Sequence, residues 1–232
     1  MVGYQAVNQS NSRPSVLILG GGFAGISCAS SLSSRHFNVC LVDQKSHFEF
    51  LPNIHEILSG VKRPRDVRLD LAQQMSALQH RFVKASVEGI APEKKQVILN
   101  NGTTLNYDYL VVGLGAIDAS YGVEGIEPNA FSFKSAEQCA AIYHQLNELR
   151  VASKPSRVTI IGAGITGVEA LGEIFRNEQF SHLKITILEA QSRLLPKNSP
   201  ELDRYIRDLC KPYPVDFRCH EAAQRIRKKS VL

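Results

Sequence analysis

The hydrophobic positions of this chain fall in short apolar runs that are bounded by glycine, proline or asparagine. The richest runs, Tyr109–Ile117 and Val158–Gly167, are short and broken by glycine, so they predict buried parallel strands. The longer segment Tyr107–Ala116 suits a strand that is buried on both faces. Asn101-Gly102 is a tight-turn signal between two further runs. Short strands are predicted near Arg81–Val87, Gln96–Leu99 and Thr104–Gly113.

Four other stretches have the spacing or the end signals of helices. Gly60 ends the helix that is predicted at Ile54–Ser59. Pro155 marks a linker at 152–156. The predicted helices are Ile54–Ser59, Leu69–Leu78, Ala136–Leu149 and Pro200–Lys211.

One pattern occurs twice, 142 residues apart. Ser15–Ser27 aligns with Arg157–Glu169, and each copy combines a buried strand, the glycine pattern G-x-G-x-x-G and the start of a helix. A second strand follows each copy and ends in an acid, Asp43 in the first and Glu189 in the second. These acids lie 18 and 22 residues after the third glycine. Dinucleotide-binding units place their ribose-binding acid at about 20 residues.

A single glycine pattern is weak evidence for a ligand, because three glycines at fixed offsets also arise by chance. Two copies, each with its strand, helix and acid, favour two dinucleotide sites over two βαβ turns that bind no phosphate. The first glycine makes a tight turn, the second lets the backbone approach a pyrophosphate, and the third allows the helix to pack closely on the strand. The phosphates then face the positive helix end. The predicted glycines are Gly20, Gly22, Gly25, Gly162, Gly164 and Gly167.

The composition is that of a globular chain that buries a core, with 232 residues of which 44% are hydrophobic and 21% charged. The net charge of +5 comes largely from residues 201–232, which hold eight basic and five acidic side chains. This distribution argues against a body built to hold nucleic acid. Arg225–Lys229 is either a contact for anionic lipid or nucleic acid, or a solvated helix end. The sequence shows no secretory signal and no run of the roughly 20 apolar residues that span a bilayer.

Cysteines and histidines show no spacing typical of a metal site, so no metal is expected. The five cysteines form no C-x-x-C pair. We therefore expect free thiols in a reducing cytosol. Most of the seven histidines are expected at the surface.

Several segments between and after the repeats carry a wider resemblance: Asp43-Gln44-Lys45 with Phe48, Phe50 and Pro52, then Ala85–Ile90, Tyr107–Ala116, and Leu188-Glu189 with Arg193–Pro196. Together with the two repeats, they resemble the pyridine nucleotide-disulfide oxidoreductases, which are flavoproteins with two dinucleotide-binding domains. Among these, type II NADH dehydrogenases and apoptosis-inducing-factor-like proteins are the most similar. The resemblance implies an α/β fold of tandem Rossmann-like units with parallel sheets, and a small β-meander in the first unit.

In this family FAD occupies the first unit and NAD(P)H the second. His47 and His55 flank the loop that the resemblance places near the flavin, where they are candidates for shaping the pocket. The implied FAD contacts are Gly20, Gly22 and Gly25 at the pyrophosphate, Asp43 at the adenosine ribose, Val87 at the adenine and Gly115 near the flavin pyrophosphate. Ala24, Gln44 and Lys45 are also predicted to bind the cofactor.

In the second unit, Gly162, Gly164 and Gly167 are implied to bind the NAD(P)H pyrophosphate. Glu189 favours NADH, because a carboxylate repels a 2′-phosphate, whereas Arg193 is the opposing signal for NADPH. Glu169 matches the catalytic acid that relatives place near the nicotinamide–flavin contact. Alternatively, it is a first-turn helix acid that the helix dipole stabilises.

The resemblance implies an FAD-dependent oxidoreductase that takes hydride from NADH and passes electrons to a quinone-like or other small acceptor. The cysteine spacing excludes the dithiol relay of disulfide reductases. The alternatives are a dinucleotide-binding sensor or remnant without turnover and, on the basic tail alone, an RNA-modifying flavoprotein. We expect a cytoplasmic protein that binds no nucleic acid. A homodimer and peripheral contact with the inner face of the membrane stay open.

The predicted domains are a flexible tail at 1–13, an FAD-binding domain at 14–150 and an NAD(P)H-binding domain at 151–232. The last is shorter than the domain mode of about 100–150 residues. The Gly-Asp step with which relatives resume the FAD domain is absent from the sequence. We therefore expect a C-terminally truncated chain with an incomplete second unit, which a sheet of five or more strands there would contradict.

Overall fold

A computed structural model gives the fold of this protein. Of the predicted tail at 1–13, only Arg13 is among the described residues. Of the predicted linker at 152–156, only Ser156 is. The described residues are 13–117, 119–151, 156–227 and 230–231.

The chain forms two compact units. The first consists of residues 13–48 and 68–116, and the second consists of residues 49–67 and 117–231. Each contains a parallel sheet and helices, which confirms the predicted α/β class. The units are divided differently from the predicted domains, because the segments 49–67 and 117–151 pack with the second glycine repeat. The domain limits at 150 and 151 stay predictions.

The first unit is a four-stranded parallel sheet, with a separate antiparallel meander. Its elements are β1 (Ser15–Leu19), α1 (Phe23–Ser31), β2 (Asn38–Asp43), β3 (His47–Glu49), β4 (Arg68–Asp70), α2 (Leu71–Ala77), β5 (Arg81–Lys84), β6 (Val87–Ala91), β7 (Gln96–Leu99), β8 (Thr104–Asn106) and β9 (Tyr109–Val112). The strand order in the parallel sheet is β5-β2-β1-β9. The central position of β1 explains why its residues 16–19 are all buried.

The antiparallel sheet β6-β7-β8 confirms the predicted meander, although its first strand was missing from the sequence prediction. The hairpin at Asn101-Gly102 is also confirmed, since Gly102 has a φ of +78° and its N–H donates to the Leu99 carbonyl at 2.9 Å. The run Thr104–Gly113 was wrongly predicted as one strand. It divides into β8 and β9 because Asp108 turns the chain, and its carboxylate accepts hydrogen bonds from the Ser15 N–H and hydroxyl.

The two rich apolar runs begin in parallel strands, as predicted, but the prediction that these strands are buried is wrong. β9 is an edge strand of the described sheet, and its Tyr109 and Val112 are 61% and 59% exposed. Val158–Gly167 also begins in an edge strand, where Ile161 is 40% exposed. An edge strand has one neighbour, so an apolar run alone does not establish burial.

The second unit has a three-stranded parallel sheet in the order β10-β11-β12. A sheet of five or more strands would have contradicted the prediction of an incomplete unit, and this sheet has three among the described residues. None of the described helices is long and apolar enough to cross a membrane. The elements are α3 (Ile126–Asn129), α4 (Ala136–Val151), β10 (Arg157–Ile161), α5 (Ile165–Arg176), β11 (Lys184–Glu189), α6 (Pro200–Cys210), β12 (Val215–Cys219), β13 (Ile226–Arg227) and β14 (Ser230–Val231).

The segment 49–67 belongs to the second unit through both apolar and polar contacts. Its first 3₁₀ helix, Leu51–Ile57, overlaps the helix predicted at Ile54–Ser59, whereas the second, Pro64–Val67, lies where no helix was predicted. Buried side chains from both join the core that contains Leu171 of α5. The Ser59 hydroxyl donates to the buried Glu173 carboxylate of α5. These contacts join residues more than 100 positions apart, which no local pattern predicts.

Candidate functional site

The first glycine turn joins β1 to α1. Gly20 has a φ of +101°, which favours glycine, and its N–H donates to the Val42 carbonyl at 2.8 Å. Gly22 is the N-cap of α1, where no side chain donates or accepts a capping hydrogen bond. A Cβ atom on Gly22 would meet nothing within 4 Å, so the space in front of the helix is open.

The second glycine turn has the same geometry. Gly162 has a φ of +94°, and its N–H donates to the Leu188 carbonyl at 2.8 Å. Gly164 is the uncapped N-cap of α5, and a Cβ atom there would also meet nothing within 4 Å. Each turn therefore presents an open, positively polarised helix end to an anion.

The third glycine of each pattern lies against the turn itself. A Cβ atom on Gly25 would overlap the carbonyl oxygen of Gly20, and one on Gly167 would overlap that of Gly162. In both units the helix starts too close to the strand for any side chain at this position.

The two acids predicted from the spacing bind their own glycine turns. Asp43 accepts hydrogen bonds from the N–H groups of Gly21 at 2.6 Å and Lys45 at 2.7 Å. Glu189, which is 8% exposed, accepts the equivalent bonds from Ala163 at 2.7 Å and Gln191 at 2.8 Å. A carboxylate has about four acceptor positions, so each acid retains capacity for a ribose diol.

The match to a family model decides the family. The model for pyridine nucleotide-disulphide oxidoreductases matches residues 14–232. The chain belongs to this family. Both glycine turns lie within the matched residues.

Two curated relatives within this similarity carry names of NADH-dependent enzymes. The chain is 25% identical over 245 residues to a probable NADH dehydrogenase of Dictyostelium discoideum, covering 94% of this chain and 54% of the relative. It is 27% identical over 231 residues to a type II NADH:quinone oxidoreductase of Staphylococcus aureus, covering 90% of this chain and 57% of the relative. The chain therefore spans about half the length of the curated relatives it matches.

Solved structures show the same fold at lower identity. NDH2 of Plasmodium falciparum, determined in complex with NADH, matches with a TM-score of 0.84 at 18% identity, covering 95% of this chain and 50% of that chain. The sulfide:quinone oxidoreductase of Aquifex aeolicus matches with a TM-score of 0.80 at 23% identity, covering 94% and 53%. The oxidoreductase fold thus extends over almost all of this chain.

The other residues that the sequence predicts as cofactor contacts differ in how exposed they are. Gly115 has a φ of +77° and is exposed, with nothing within 4 Å of an added Cβ atom. Glu169 is half-buried and is the fifth residue of α5, so it is not the first-turn acid of the alternative interpretation. Ala24 and Gln44 are exposed, whereas Val87 is half-buried at a bulge between β6 and β7.

Two features of the second site were missed by the sequence reasoning. One is the role of Ala163, whose peptide N–H holds Glu189. The other is the role of Arg193, whose guanidinium donates to the carbonyls of Pro196 at 3.0 Å and Asn198 at 2.8 Å. Because these bonds hold Arg193 on its own loop, the structure weakens the sequence argument for a 2′-phosphate contact.

The histidines partly follow the prediction. Four of the seven are exposed, whereas His47 and His55 are half-buried. His80 is buried, and its Nε2 lies 3.0 Å from the carbonyl oxygens of Ala29 and Leu32. The structure thus gives His80 a packing role at the end of α1.

All five cysteines are free, as predicted. Burial raises the pKa of the Cys139 thiol to about 12, and burial also raises the pKa of Cys210. The other three thiols are half-buried.

A thiol titration of the native protein at pH 8 is expected to separate these two groups. Cys139 has about one thiolate in ten thousand at that pH, and thiolate is the reactive form. We expect three thiols to react readily with an aromatic disulfide reagent, with Cys139 and Cys210 reacting only after denaturation. Rapid reaction of all five in the native protein would contradict the described packing.

Proposed function

We propose that the first glycine turn binds FAD and the second binds NADH, as parts of an oxidoreductase that transfers hydride from NADH to the flavin and electrons to a quinone-like acceptor. The observation that carries the proposal is the repeated geometry of two open helix ends, each with an acid bonded to the second residue of its turn. The names of the relatives from Dictyostelium and Staphylococcus support the reaction.

The residues of the chain fit the two nucleotides. Gly22 and Gly164 leave room for the backbone to approach a pyrophosphate, and Asp43 and Glu189 have acceptor capacity for the ribose diols. Bound flavin supplies the hydride-accepting chemistry. The protein binds and orients both nucleotides.

NADH is favoured over NADPH in the second site. The Glu189 carboxylate is buried beside the turn, where it would repel a 2′-phosphate. Arg193, the residue that would offset this repulsion, is bonded to Pro196 and Asn198. NADH is therefore the nucleotide that this arrangement accepts.

Equilibrium dialysis of the purified chain tests the proposal. We expect one FAD and one NADH per chain, bound without mutual displacement, and NADPH bound at least about tenfold more weakly. A chain that binds NADH but cannot be loaded with FAD would instead be a dinucleotide sensor. Competition of both nucleotides for one site would contradict the assignment of the two turns.

A further inference from the structure

The loop 193–198 closes on the second glycine turn. The Leu195 N–H donates to the Ala163 carbonyl at 2.8 Å, while the Ala163 N–H donates to Glu189 at 2.7 Å. The peptide groups on both sides of Ala163 are thus fixed, and Ala163 is the residue between the two glycines of the turn. The orientation of this turn depends on both bonds.

Leu195 makes its bond from a conformation that leucine rarely adopts. Its φ is +46°, in the left-handed region, where the Cβ atom of an ordinary residue is crowded by the backbone. Leu195 is 7% exposed. A bulky residue persists in this region only when its surroundings hold it there, and such positions cluster at functional sites.

Arg193 provides the contacts that hold this loop. One guanidinium nitrogen donates to the carbonyls of Pro196 and Asn198, and the Asn198 N–H donates to the Leu195 carbonyl at 2.8 Å. The guanidinium thus bridges the tight turn that follows Leu195. The neighbouring Leu194 N–H donates to the Asp203 carboxylate at 2.9 Å, which anchors the loop to α6.

The first glycine turn lacks this arrangement. Gly21 has the same bond to Asp43, but the described residues include no donor to its carbonyl. The turn is covered instead by Leu71, whose Cδ1 would lie 2.6 Å from a Cβ atom on Gly21. The loop contact is therefore a property of the second site alone.

We propose that Arg193 is a positioning residue that sets the affinity of the second turn for NADH without touching the nucleotide. The inference rests on the proposed assignment of NADH to this turn. When Arg193 holds Leu195 in the left-handed conformation, the Ala163 peptide keeps the orientation that the pyrophosphate site requires. Without Arg193 the turn is in this orientation for only part of the time, and the apparent dissociation constant rises by the reciprocal of that fraction.

The test compares Arg193→Gln with Arg204→Gln as a matched control. Arg204 lies on α6 with 71% of its side chain exposed and pairs with Glu201, so both changes remove one positive charge from the same unit. We expect the dissociation constant for NADH to rise about tenfold in Arg193→Gln and to change less than about twofold in Arg204→Gln. Arg193→Lys, which keeps the charge and can donate to the carbonyls but lacks the fixed plane of the guanidinium, should lie between them. FAD content should be unchanged in all three.

Amide hydrogen exchange without nucleotide separates this claim from the proposed function. The Leu195 N–H should exchange faster in Arg193→Gln than in the wild type, while the amides of Ile185 and Ile187 in β11 keep their protection. Unchanged exchange of Leu195 together with unchanged NADH affinity would overturn the proposal, as would a general loss of protection in β11. A wild-type chain that binds no NADH contradicts the proposed function and the affinity claim, and the exchange of Leu195 still reports whether Arg193 holds the turn.

Discussion

Replacement of Gly167 by alanine should destabilise the second unit by about 3 kcal/mol or more, whereas Gly172→Ala should be neutral or stabilising. A Cβ atom on Gly167 would overlap the Gly162 carbonyl oxygen, and neither backbone can move without opening the turn. Gly172 lies on the same helix with nothing within 4 Å of an added Cβ atom. Alanine there should gain up to about 1 kcal/mol of helix propensity.

Urea unfolding followed by circular dichroism measures both effects. We expect the midpoint to fall strongly for Gly167→Ala and to stay or rise for Gly172→Ala. If the two variants unfold within about 0.5 kcal/mol of each other, the close packing of α5 on its turn is wrong.

Alanine at the second glycine of each pattern should weaken the binding of a nucleotide without lowering the stability of the fold. A Cβ atom on Gly22 or Gly164 would meet nothing within 4 Å, so neither change strains the described chain. The added methyl group would occupy the space through which the backbone approaches a pyrophosphate. Overpacking of about 1–3 kcal/mol corresponds to a loss of affinity of about 5- to 140-fold.

The two variants serve as controls for each other. Gly22→Ala should lower the flavin content of the purified chain while NADH binding persists, and Gly164→Ala should weaken NADH binding while flavin is retained. Both should unfold at the same urea concentration as the wild type. Loss of the same nucleotide in both variants would show that the two turns do not have separate ligands.

The local parts of this site could be predicted from the sequence. The positive φ values of Gly20 and Gly162 follow from the glycine pattern, because a strand-to-helix turn of this tightness excludes a side chain. The positions of Asp43 and Glu189 follow from the length of one βαβ unit. These features depend on residues within about 30 positions of one another.

The parts that the sequence did not predict depend on distant pairing. The apolar segment that contains Ile57 and Leu58 packs in the same core as α5. Its own sequence predicts that it is buried but not which helix it packs against. The exposure of Tyr109 depends on its strand having one neighbour. The left-handed Leu195 had no signal at all, since glycine or asparagine usually marks such a position.

Anaerobic titration of the FAD-loaded chain with NADH tests the central claim most directly, because it requires both turns to hold their assigned nucleotides at once. We predict that the absorbance of the flavin at about 450 nm decreases as NADH is added, with about one NADH consumed per bound FAD. Flavin that stays oxidised in the presence of bound NADH would contradict hydride transfer by this chain. Failure to retain any flavin would contradict the first site itself.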